Sequence, residues 1–304
     1  MSSQRDVQDR ISSVKNIRKI TRAMEMVAAA RLRRAEQRIE QLRPYAGAIR
    51  RMTRQAAEAA DSMPNVPILS AHEQQNRVGL LLVTGDRGLA GAFNAQILRA
   101  GTAAQRDLRA DGKEIIWYAS GRRGVSSLSF RGQPVEGAYT GFTDRPSYAD
   151  ARDIAGDLIA AYSDDQLDRV DIFYNGYVSA LTQEVRRETL LPLQEATILG
   201  DEDAGSDGGE RESEREGPGP LVEYEPGPEE ILEQLVPYYV EISIYRALLE
   251  STASEHGARM TAMRNASENA GELIDDLTLE MNRARQAEIT QEIMEVVAGA
   301  NALG

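Results

Sequence analysis

Residues 256–284 of this 304-residue chain read HGARMTAMRNASENAGELIDDLTLEMNRA. Small and apolar residues recur in this stretch at alternating steps of four and three: His256, Met260, Met263, Ser267, Ala270, Ile274, Leu277, Met281 and Ala284. An average step of 3.5 residues keeps one stripe of a helix against a partner helix. The stretch therefore predicts one helix of a coiled coil.

A second seam with the same spacing lies near the other end of the chain. Its members are Ala28, Leu32, Ala35, Ile39, Leu42, Ala46 and Ile49. Two such helices on either side of a compact middle favour an antiparallel pair within the chain. A long helix pair carried on a globular domain is more typical of a mechanical part or an adaptor than of an enzyme.

The helix limits follow from prolines and from the ends of the two seams. The first helix is predicted from Arg5 to Ala60, with a bend at Pro44 because a proline inside a helix removes one hydrogen bond and crowds the preceding turn. The last helix is predicted to begin near Pro228, or near Val236 if Pro237 lies in its first turn. It is predicted to end at Ala302.

The middle of the chain alternates between apolar runs typical of buried strands and amphipathic helical segments. Strands are predicted at residues 78–84, 114–120 and 170–179, with a weaker one at 188–193, and helices at 92–109 and 146–163. The predicted fold class is α/β: a long antiparallel coiled coil of the N- and C-terminal helices plus a small Rossmann-like α/β domain with right-handed crossovers.

Four segments follow from this reading. They are an N-terminal coiled-coil helix (1–62), an α/β domain (76–195), an acidic flexible loop (196–228) and a C-terminal coiled-coil helix (229–304). The loop is predicted because residues 199–228 are acidic and rich in Gly and Pro, a composition that buries too little apolar surface to offset the entropy of ordering.

The composition excludes several classes of function. The chain has no cysteine and two histidines, so thiol catalysis and disulfides are excluded and a histidine-based metal site is not expected. The net charge of −13 hides a basic first helix, for which nucleic acid is one possible partner and a solvated face or an acidic protein sleeve are others. The absence of interleaved aromatic residues and the acidic total argue against nucleic acid. No apolar run is long enough for a membrane span, and residues 1–19 are polar and basic, which predicts a cytoplasmic protein.

The one motif that suggests ligand chemistry is TGDRGLAGAFN, residues 84–94, directly after the first predicted strand. Glycines at a strand-to-helix turn can bring backbone N–H groups to a phosphate. The motif matches neither G-x-G-x-x-G nor the Walker A pattern, so a tight turn with close helix–sheet packing is the favoured interpretation. The carboxylate pair Asp275 and Asp276 is interpreted as solvated surface, and His256 as a packed seam residue, so no catalytic residue and no metal ligand are predicted.

Three longer stretches carry a resemblance. They are RISSVKNIRKITRAMEMVAAARLRRAEQ at the N-terminal end, GDRGLAGAFN after the first strand, and ASEHGARMTAMRNASENAGELIDDLTLEMNRARQAEITQEIMEVVAGANAL at the C-terminal end. With LEQLVPYYVEISIYRALLES at the entry to the last helix, they closely resemble the gamma subunits of bacterial F-type ATP synthases. The resemblance covers the whole chain.

The resemblance implies a rotor shaft whose coiled coil enters a ring of alternating alpha and beta subunits. It implies that the α/β domain contacts the epsilon subunit and the c-ring of the membrane sector, at the cytoplasmic face of the plasma membrane. The ATP chemistry would then lie on beta, so this chain is expected to be non-catalytic and to hold no cofactor. Residues carried over as contacts to beta are Met24, Arg259, Arg285, Gln286 and Thr290, with Met24 and Arg285 expected on one tip of the coiled coil.

Two other classes of function stay open on the residues alone. One is a free-standing coiled-coil adaptor with an α/β binding head, and the other is a small nucleotide-binding enzyme using the turn at Gly85–Gly91. Co-purification with alpha and beta subunits would distinguish a rotor shaft from both of these alternatives.

Overall fold

The computed structural model describes residues 4–60, 66–72, 74–193 and 227–303. The chain divides into two compact units, one of residues 31–258 and the other of residues 1–30 together with 259–304. Both terminal helices contribute to each unit.

The elements in chain order are α1 (Gln4–Ala59), a 3₁₀ turn (Pro67–Leu69), β1 (Arg77–Val83), α2 (Phe93–Ala110), β2 (Glu114–Ser120), α3 (Arg122–Phe130), β3 (Val135–Tyr139), α4 (Tyr148–Ser163), β4 (Arg169–Tyr177), β5 (Gln183–Leu191) and α5 (Pro228–Leu303).

The unit of residues 31–258 is built on one five-stranded sheet with strand order β3-β2-β1-β4-β5. The first four strands are parallel, and β5 runs antiparallel to β4. Strand β1 is central and buried from Val78 onward, as its continuous apolar sequence predicts for a strand covered on both faces. The Rossmann-like α/β fold class is confirmed.

Alternate residues of β1 face two separate cores, because successive side chains of a strand point to opposite faces. Leu80 and Leu82 pack with Trp117, Phe173 and the buried face of α2. Leu81 and Val83 lie in the larger core, which α4 and the first turns of α5 complete. The α5 members of that core are Leu232, Val236, Val240, Ile244, Ala247 and Leu248. The C-terminal helix is therefore a structural layer of the α/β unit.

The second unit is a helix pair. Val7 and Ile11 of α1 form an apolar cluster with Ile274 and Leu277 of α5. Further along α1, Glu25 pairs with Arg264, whose Nε lies 2.9 Å from the Glu25 carboxylate. A later position on α1 thus contacts an earlier position on α5, which shows that the two helices are antiparallel. The predicted coiled coil is confirmed, and its seam begins at Val7, three seven-residue repeats before the predicted first member, Ala28.

The predicted helix limits are close to the observed ones. Helix α1 spans Gln4–Ala59 and continues through Pro44 as predicted. Pro44 is exposed, so water can satisfy the carbonyl group that loses its intrahelical donor. Helix α5 begins at Pro228, the first of the two predicted starts, and contains Pro237. The predicted acidic loop of residues 199–228 lies almost wholly outside the described residues.

Three elements differ from the prediction. Helix α3 and strand β3 are absent from it, and β5 begins at Gln183, five residues before the predicted start. The α3 sequence RRGVSSLSF carries a glycine and three serines, which weaken a helical pattern. Strand β3 is a sheet edge whose residues alternate between half-buried and exposed, and its Gly137 dilutes the strand signal. All three elements depend on pairing or packing with neighbouring elements: α3 packs on β2 and β3, β3 pairs with β2, and the start of β5 pairs with the end of β4.

Candidate functional site

The Gly-rich turn after β1 is filled by contacts within the chain. The Gly85 N–H donates to Asn94 Oδ1 at 2.8 Å, and the Asp86 N–H donates to Thr143 Oγ1 at 2.8 Å. The Asp86 carboxylate accepts from the backbone N–H groups of Arg122 and Gly141 at 3.0 and 2.9 Å. These amides and this carboxylate hold three loops together, which supports the tight-turn interpretation over the phosphate-binding one.

Helix α5 occupies the crevice in which Rossmann-like sheets bind ligands. That crevice lies at the carboxyl ends of the strands, where neighbouring connections leave in opposite directions, here between β1 and β4. Thr252 Oγ1 donates to the Thr143 carbonyl at 2.9 Å, and Ser254 Oγ donates to the Asn175 carbonyl at 3.0 Å. The space left beside Thr252 is about 10 Å³, which admits one water molecule at most.

Glu255 of α5 narrows this crevice further. A Cβ on Gly85 would lie 2.8 Å from the Glu255 carboxyl carbon, and Glu255 is 2% exposed. The Glu255 side chain therefore lies against the turn, where a phosphate would have to approach the Gly85 backbone. The space at this site is too small for a nucleotide.

Asp144 joins α1 to the same group of loops. Arg31 Nη1 of α1 donates to Asp144 Oδ2 at 2.7 Å, and Arg87 Nε lies 3.6 Å from the same oxygen. Burial would raise the pKa of the Asp144 carboxyl, but the hydrogen bond and charge of Arg31, helped by Arg87 and His256, hold that pKa below its usual value. The folded structure therefore favours the ionised carboxylate. A second link from α1 is made by Tyr177, whose hydroxyl donates to Glu36.

A network of charged residues joins α5 to the β5 edge of the sheet. Arg246 Nη2 donates to Glu188 Oε2 at 2.6 Å, and Arg186 Nη1 donates to Glu250 Oε2 at 3.0 Å. Burial is the largest influence on Glu250 and raises its pKa in spite of the two arginines. Burial also raises the pKa of the Tyr174 hydroxyl, which donates to Glu188. Such paired groups fix geometry, because an unpaired buried charge is costly.

The predicted partner-contact residues fall into two groups that lie far apart. Met24 is half-buried beside Glu25, which pairs with Arg264, and Arg259 is 7% exposed. Arg285, Gln286 and Thr290 are exposed. The register of the pair places Arg285 about 20 residues along the helix from the level of Met24, or roughly 30 Å. The expectation that Met24 and Arg285 share one tip is wrong, because the helices are antiparallel and Met24 lies far from the N-terminal end of α1.

Two exposed apolar surfaces accompany these groups. The first, here called the α1 patch, consists of the exposed Ile17, Ile20 and Val27 together with the half-buried Met24; Ile17 and Ile20 are 53% and 59% exposed. The second, the α5 stripe, consists of Ile289, Ile293 and Val296, and Val296 is 72% exposed. Each set has a helical spacing and so forms one line. Exposed apolar lines of this kind mark interaction surfaces.

Sequence reasoning missed both surfaces, although it identified residues inside or beside them. Apolar residues at positions 17, 20, 24 and 27 form a second periodic line beside the seam, and a search for two stripes per helix would have found it. Basic side chains flank this line at Arg18, Lys19 and Arg22, all of them exposed. The α1 patch is therefore apolar at its centre and positively charged around it.

A partner surface is thus the best-formed functional feature of the described residues. Among those residues no helix is long and apolar enough to cross a membrane, and no group of three or more potential ligands is placed to hold a metal ion. The fold and these surfaces define an interaction subunit: one unit is a helix pair with exposed apolar lines, and the other is an α/β domain whose ligand crevice is filled by helix α5.

Comparison with known proteins specifies that class. A family model described as ATP synthase matches residues 3–303. The ATP synthase gamma chain of Rubrobacter xylanophilus is 43% identical over 303 residues, covering 100% of this chain and 99% of that one. The gamma chain of Moorella thermoacetica is 43% identical over 305 residues, with 100% of both chains covered. The chain belongs to the ATP synthase gamma chain family.

Solved structures agree at the level of the fold. A chain of the Tetrahymena thermophila mitochondrial ATP synthase central stalk and c-ring has a TM-score of 0.58 at 25% identity, covering 82% of this chain and 99% of that one. A chain of the Euglena gracilis mitochondrial ATP synthase has a TM-score of 0.67 at 19% identity, covering 99% of this chain and 94% of that one.

Proposed function

We propose that this chain is the central rotor shaft of an F-type ATP synthase. The observation that carries the proposal is the full-length identity of 43% to gamma chains, combined with exposed apolar and basic lines on the helix pair. In this role the chain couples ion flow through the membrane sector to ATP synthesis or hydrolysis on the beta subunits, by rotating inside the alpha–beta ring. Its other partners are the epsilon subunit and the c-ring.

The chain itself is proposed to be non-catalytic and to hold no cofactor. The backbone N–H groups of the Gly-rich turn already donate to Asn94 and Thr143, and Glu255 packs against the turn. The described residues of this turn therefore form no phosphate-binding site. The proposed location is the cytoplasmic face of the plasma membrane, as a peripheral part of the complex.

Two levels of the helix pair are proposed to contact beta. Met24, inside the α1 patch, forms one level, and the basic residues around it suit an acidic partner segment. Arg285, Gln286 and Thr290 form the other level, next to the α5 stripe. Arg259 is buried, so its contribution is to support the Met24 level, and a direct contact to beta requires its side chain to move outward.

The coupling has a plain thermodynamic requirement. A shaft drives its sleeve through successive states only if its contact energy differs between those states. The two levels satisfy this requirement because each lies on one side of a helix pair that has no rotational symmetry. Each orientation of the pair then presents apolar and charged groups to a different beta subunit.

Reconstitution with alpha, beta, epsilon and the membrane sector tests the proposal. The variant Arg285→Ala/Gln286→Ala is expected to lower ATP-driven proton pumping by about five-fold or more. This is the scale expected when one or two hydrogen bonds to beta are lost. Glu233→Ala/Gln234→Ala is the control, because it changes two exposed residues of the same helix far from the proposed contacts.

The result that contradicts the proposal is equally concrete. Wild-type pumping by the Arg285 and Gln286 variant would remove those residues from the contact. If the isolated wild-type chain is monodisperse in solution and does not bind alpha or beta, the free-standing adaptor is favoured instead.

A further inference from the structure

A groove runs along the outer edge of the sheet, between strand β5 and helix α5. Strand β5 is the last strand of the sheet, so one of its edges pairs with no other strand among the described residues. Residues 187–190 all line a cavity of about 250 Å³, and successive side chains of a strand point to opposite faces. A cavity that all four residues reach therefore lies along the backbone edge of β5. We call this cavity the β5 groove.

Helix α5 forms the other wall of the β5 groove. Ser243 and Arg246 lie one turn apart on this wall. Arg246 donates to Glu188 at 2.6 Å, and one turn later on the helix Glu250 accepts from Arg186 at 3.0 Å. Strand and helix therefore run in opposite directions. An open sheet edge of this kind binds an extended peptide as an added strand, through main-chain hydrogen bonds and side-chain contacts.

The two ends of the β5 groove differ in polarity. Toward the end of β5 the groove is lined by the apolar side chains of Leu190, Leu193 and Val240. At its other end it is lined by Arg187 and Arg246. An extended occupant with apolar residues at one end and carboxylates at the other therefore matches the groove.

Arg187 and Arg246 flank the edge of β5 from opposite faces of the sheet. Arg187 lies over the Phe173 ring, 5.5 Å from its centre, whereas Arg246 donates to Glu188, the next residue of β5. Among the described residues, Arg187 donates from two of its three guanidinium nitrogens, both to Asp171. Two successive acidic residues of an added strand would face one arginine each, because their side chains also point to opposite faces.

We propose that the β5 groove binds residues 196–203 of this chain, ATILGDED, as an added antiparallel strand. These residues lie outside the part of the chain that the structure describes. The chain enters them two residues after Leu193, which itself lines the groove. The inference does not depend on the proposed rotor function, because the groove belongs wholly to the unit of residues 31–258.

The order of residues in ATILGDED matches the order of the two ends of the groove. A two-residue turn between the strands sets the register, since paired residue numbers in an antiparallel hairpin have a constant sum. Leu199 then pairs with Leu190 at the apolar end, and Glu202 pairs with Arg187 at the basic end. Asp201 lies on the opposite face from Glu202, toward the second arginine of the groove.

The covalent connection favours this occupant over a separate peptide. A segment attached through two residues has an effective concentration on the millimolar scale, so a free peptide has to bind far more tightly to displace it. Residues 194–226 also contain eleven acidic and two basic residues, which suits the arginines of the groove. Covering β5 in this way prevents its edge from pairing with another chain.

The first experiment traps the occupant by cross-linking in the full chain. The chain has no cysteine, so Ser243→Cys/Asp201→Cys introduces one pair across the groove. A short bismaleimide is expected to give at least about five-fold more internal cross-link with this pair than with Ser243→Cys/Ser213→Cys, because only the first pair is held together. The second variant is the matched control, since its cysteine lies further along the same acidic segment.

The second experiment supplies the occupant as a separate peptide. Replacing residues 196–203 by Gly-Ser repeats leaves both walls of the groove unchanged. A fluorescent ATILGDED peptide is expected to bind this variant about ten-fold or more tightly than the wild-type chain, which carries its own copy as a competitor. The peptide ATILGNQN keeps the side-chain shapes and removes three carboxylates, so its affinity for the variant should be about ten-fold lower.

Preferential cross-linking of the Asp201 pair, together with peptide binding by the replaced variant, supports the proposal. Equal cross-linking of the two cysteine pairs overturns it, and so does equal peptide binding by the variant and the wild-type chain. A replaced variant that forms dimers in light scattering and does not bind the peptide also overturns it, because the edge then prefers a second copy. The cross-linking result decides the matter if the replaced variant does not fold.

Discussion

Gly121, at the carboxyl end of β2, shows how single residues set the geometry around the filled crevice. Its φ is +92°, and a Cβ there would lie 2.2 Å from the Thr84 carbonyl oxygen. Thr84 in turn donates its hydroxyl to the Ser120 carbonyl at 2.7 Å and accepts from the Gly124 N–H at 2.9 Å. Only glycine allows the two loops to approach so closely, because it has neither a Cβ nor a penalty at positive φ.

Gly121→Ala is therefore expected to lower the free energy of unfolding by about 3 kcal/mol, from backbone strain and overpacking together. Gly156→Ala is the matched control. A Cβ at Gly156 meets nothing within 4 Å in the middle of α4, so alanine is expected to stabilise the protein by about 0.5–1 kcal/mol. Urea unfolding of the full chain measures both values, and equal effects would contradict the explanation.

Asp144 predicts a pH dependence. Its pKa is lowered in the folded chain, so its contribution to stability is complete above the pKa of the unfolded carboxyl and is lost as the pH falls through the lowered folded value. Asp144→Asn should cost about 1 kcal/mol near pH 7, discounted for the partly exposed arginines. The difference from wild type should vanish at strongly acid pH.

Unfolding curves across the acid range check this sign. Asp276→Asn, which removes a carboxylate at an exposed position on α5, is the matched control. A gap between wild type and Asp144→Asn that widens on acidification would show that the carboxylate is not the stabilising form.

At the scale of elements, the helix pair is held by a thin seam. Thr21 and Ser267 are buried members of that seam at 9% and 8% exposure. Small and polar residues at these positions let the backbones of α1 and α5 approach closely, but they bury less apolar surface than larger side chains would. The apolar cluster of Val7, Ile11, Ile274 and Leu277 is thus the main apolar contact described at the N-terminal end of α1.

Leu277→Ala should destabilise this end of the pair by about 2–4 kcal/mol, because it opens a cavity where the side chain is 4% exposed. Leu279→Ala, at a position 58% exposed on the same helix, should change stability by less than about 0.5 kcal/mol. Hydrogen exchange of the α1 and α5 amides measures the local effect. Equal protection in the two variants would remove the seam assignment.

At the scale of the whole molecule, the exposed end of α5 separates what the chain needs for its own stability from what it needs for partners. All residues from Arg285 to Ala298 are exposed, and the α5 stripe lies among them. Their apolar area is therefore available to partners and contributes nothing to the chain's own core. The basic face of α1 is exposed in the same way.

Deleting residues 287–304 should change the free energy of unfolding by less than about 0.5 kcal/mol, because it removes surface residues with no buried members among those described. The truncated chain should also self-associate less, which light scattering of the isolated chain detects. A large fall in the unfolding midpoint would show that this segment packs on the chain itself.

The amino-acid sequence alone decides the coiled coil and the buried strand β1. The 4–3 spacing and the continuous apolar run are local signals, and they needed no knowledge of distant contacts. The long end motifs likewise sufficed to identify the family. Helix α3, strand β3 and the true start of β5 escaped because their residues have weak local preferences and are stabilised by pairing and packing with neighbouring elements of the sheet.

Only the tertiary structure shows that α5 fills the ligand crevice, that Glu255 contacts Gly85, and that Met24 and Arg285 lie far apart. Each of these facts depends on which residues meet across large sequence separations. Periodicity tells which side of a helix is buried, but the register of two helices and the depth of a crevice follow from the packing of whole surfaces.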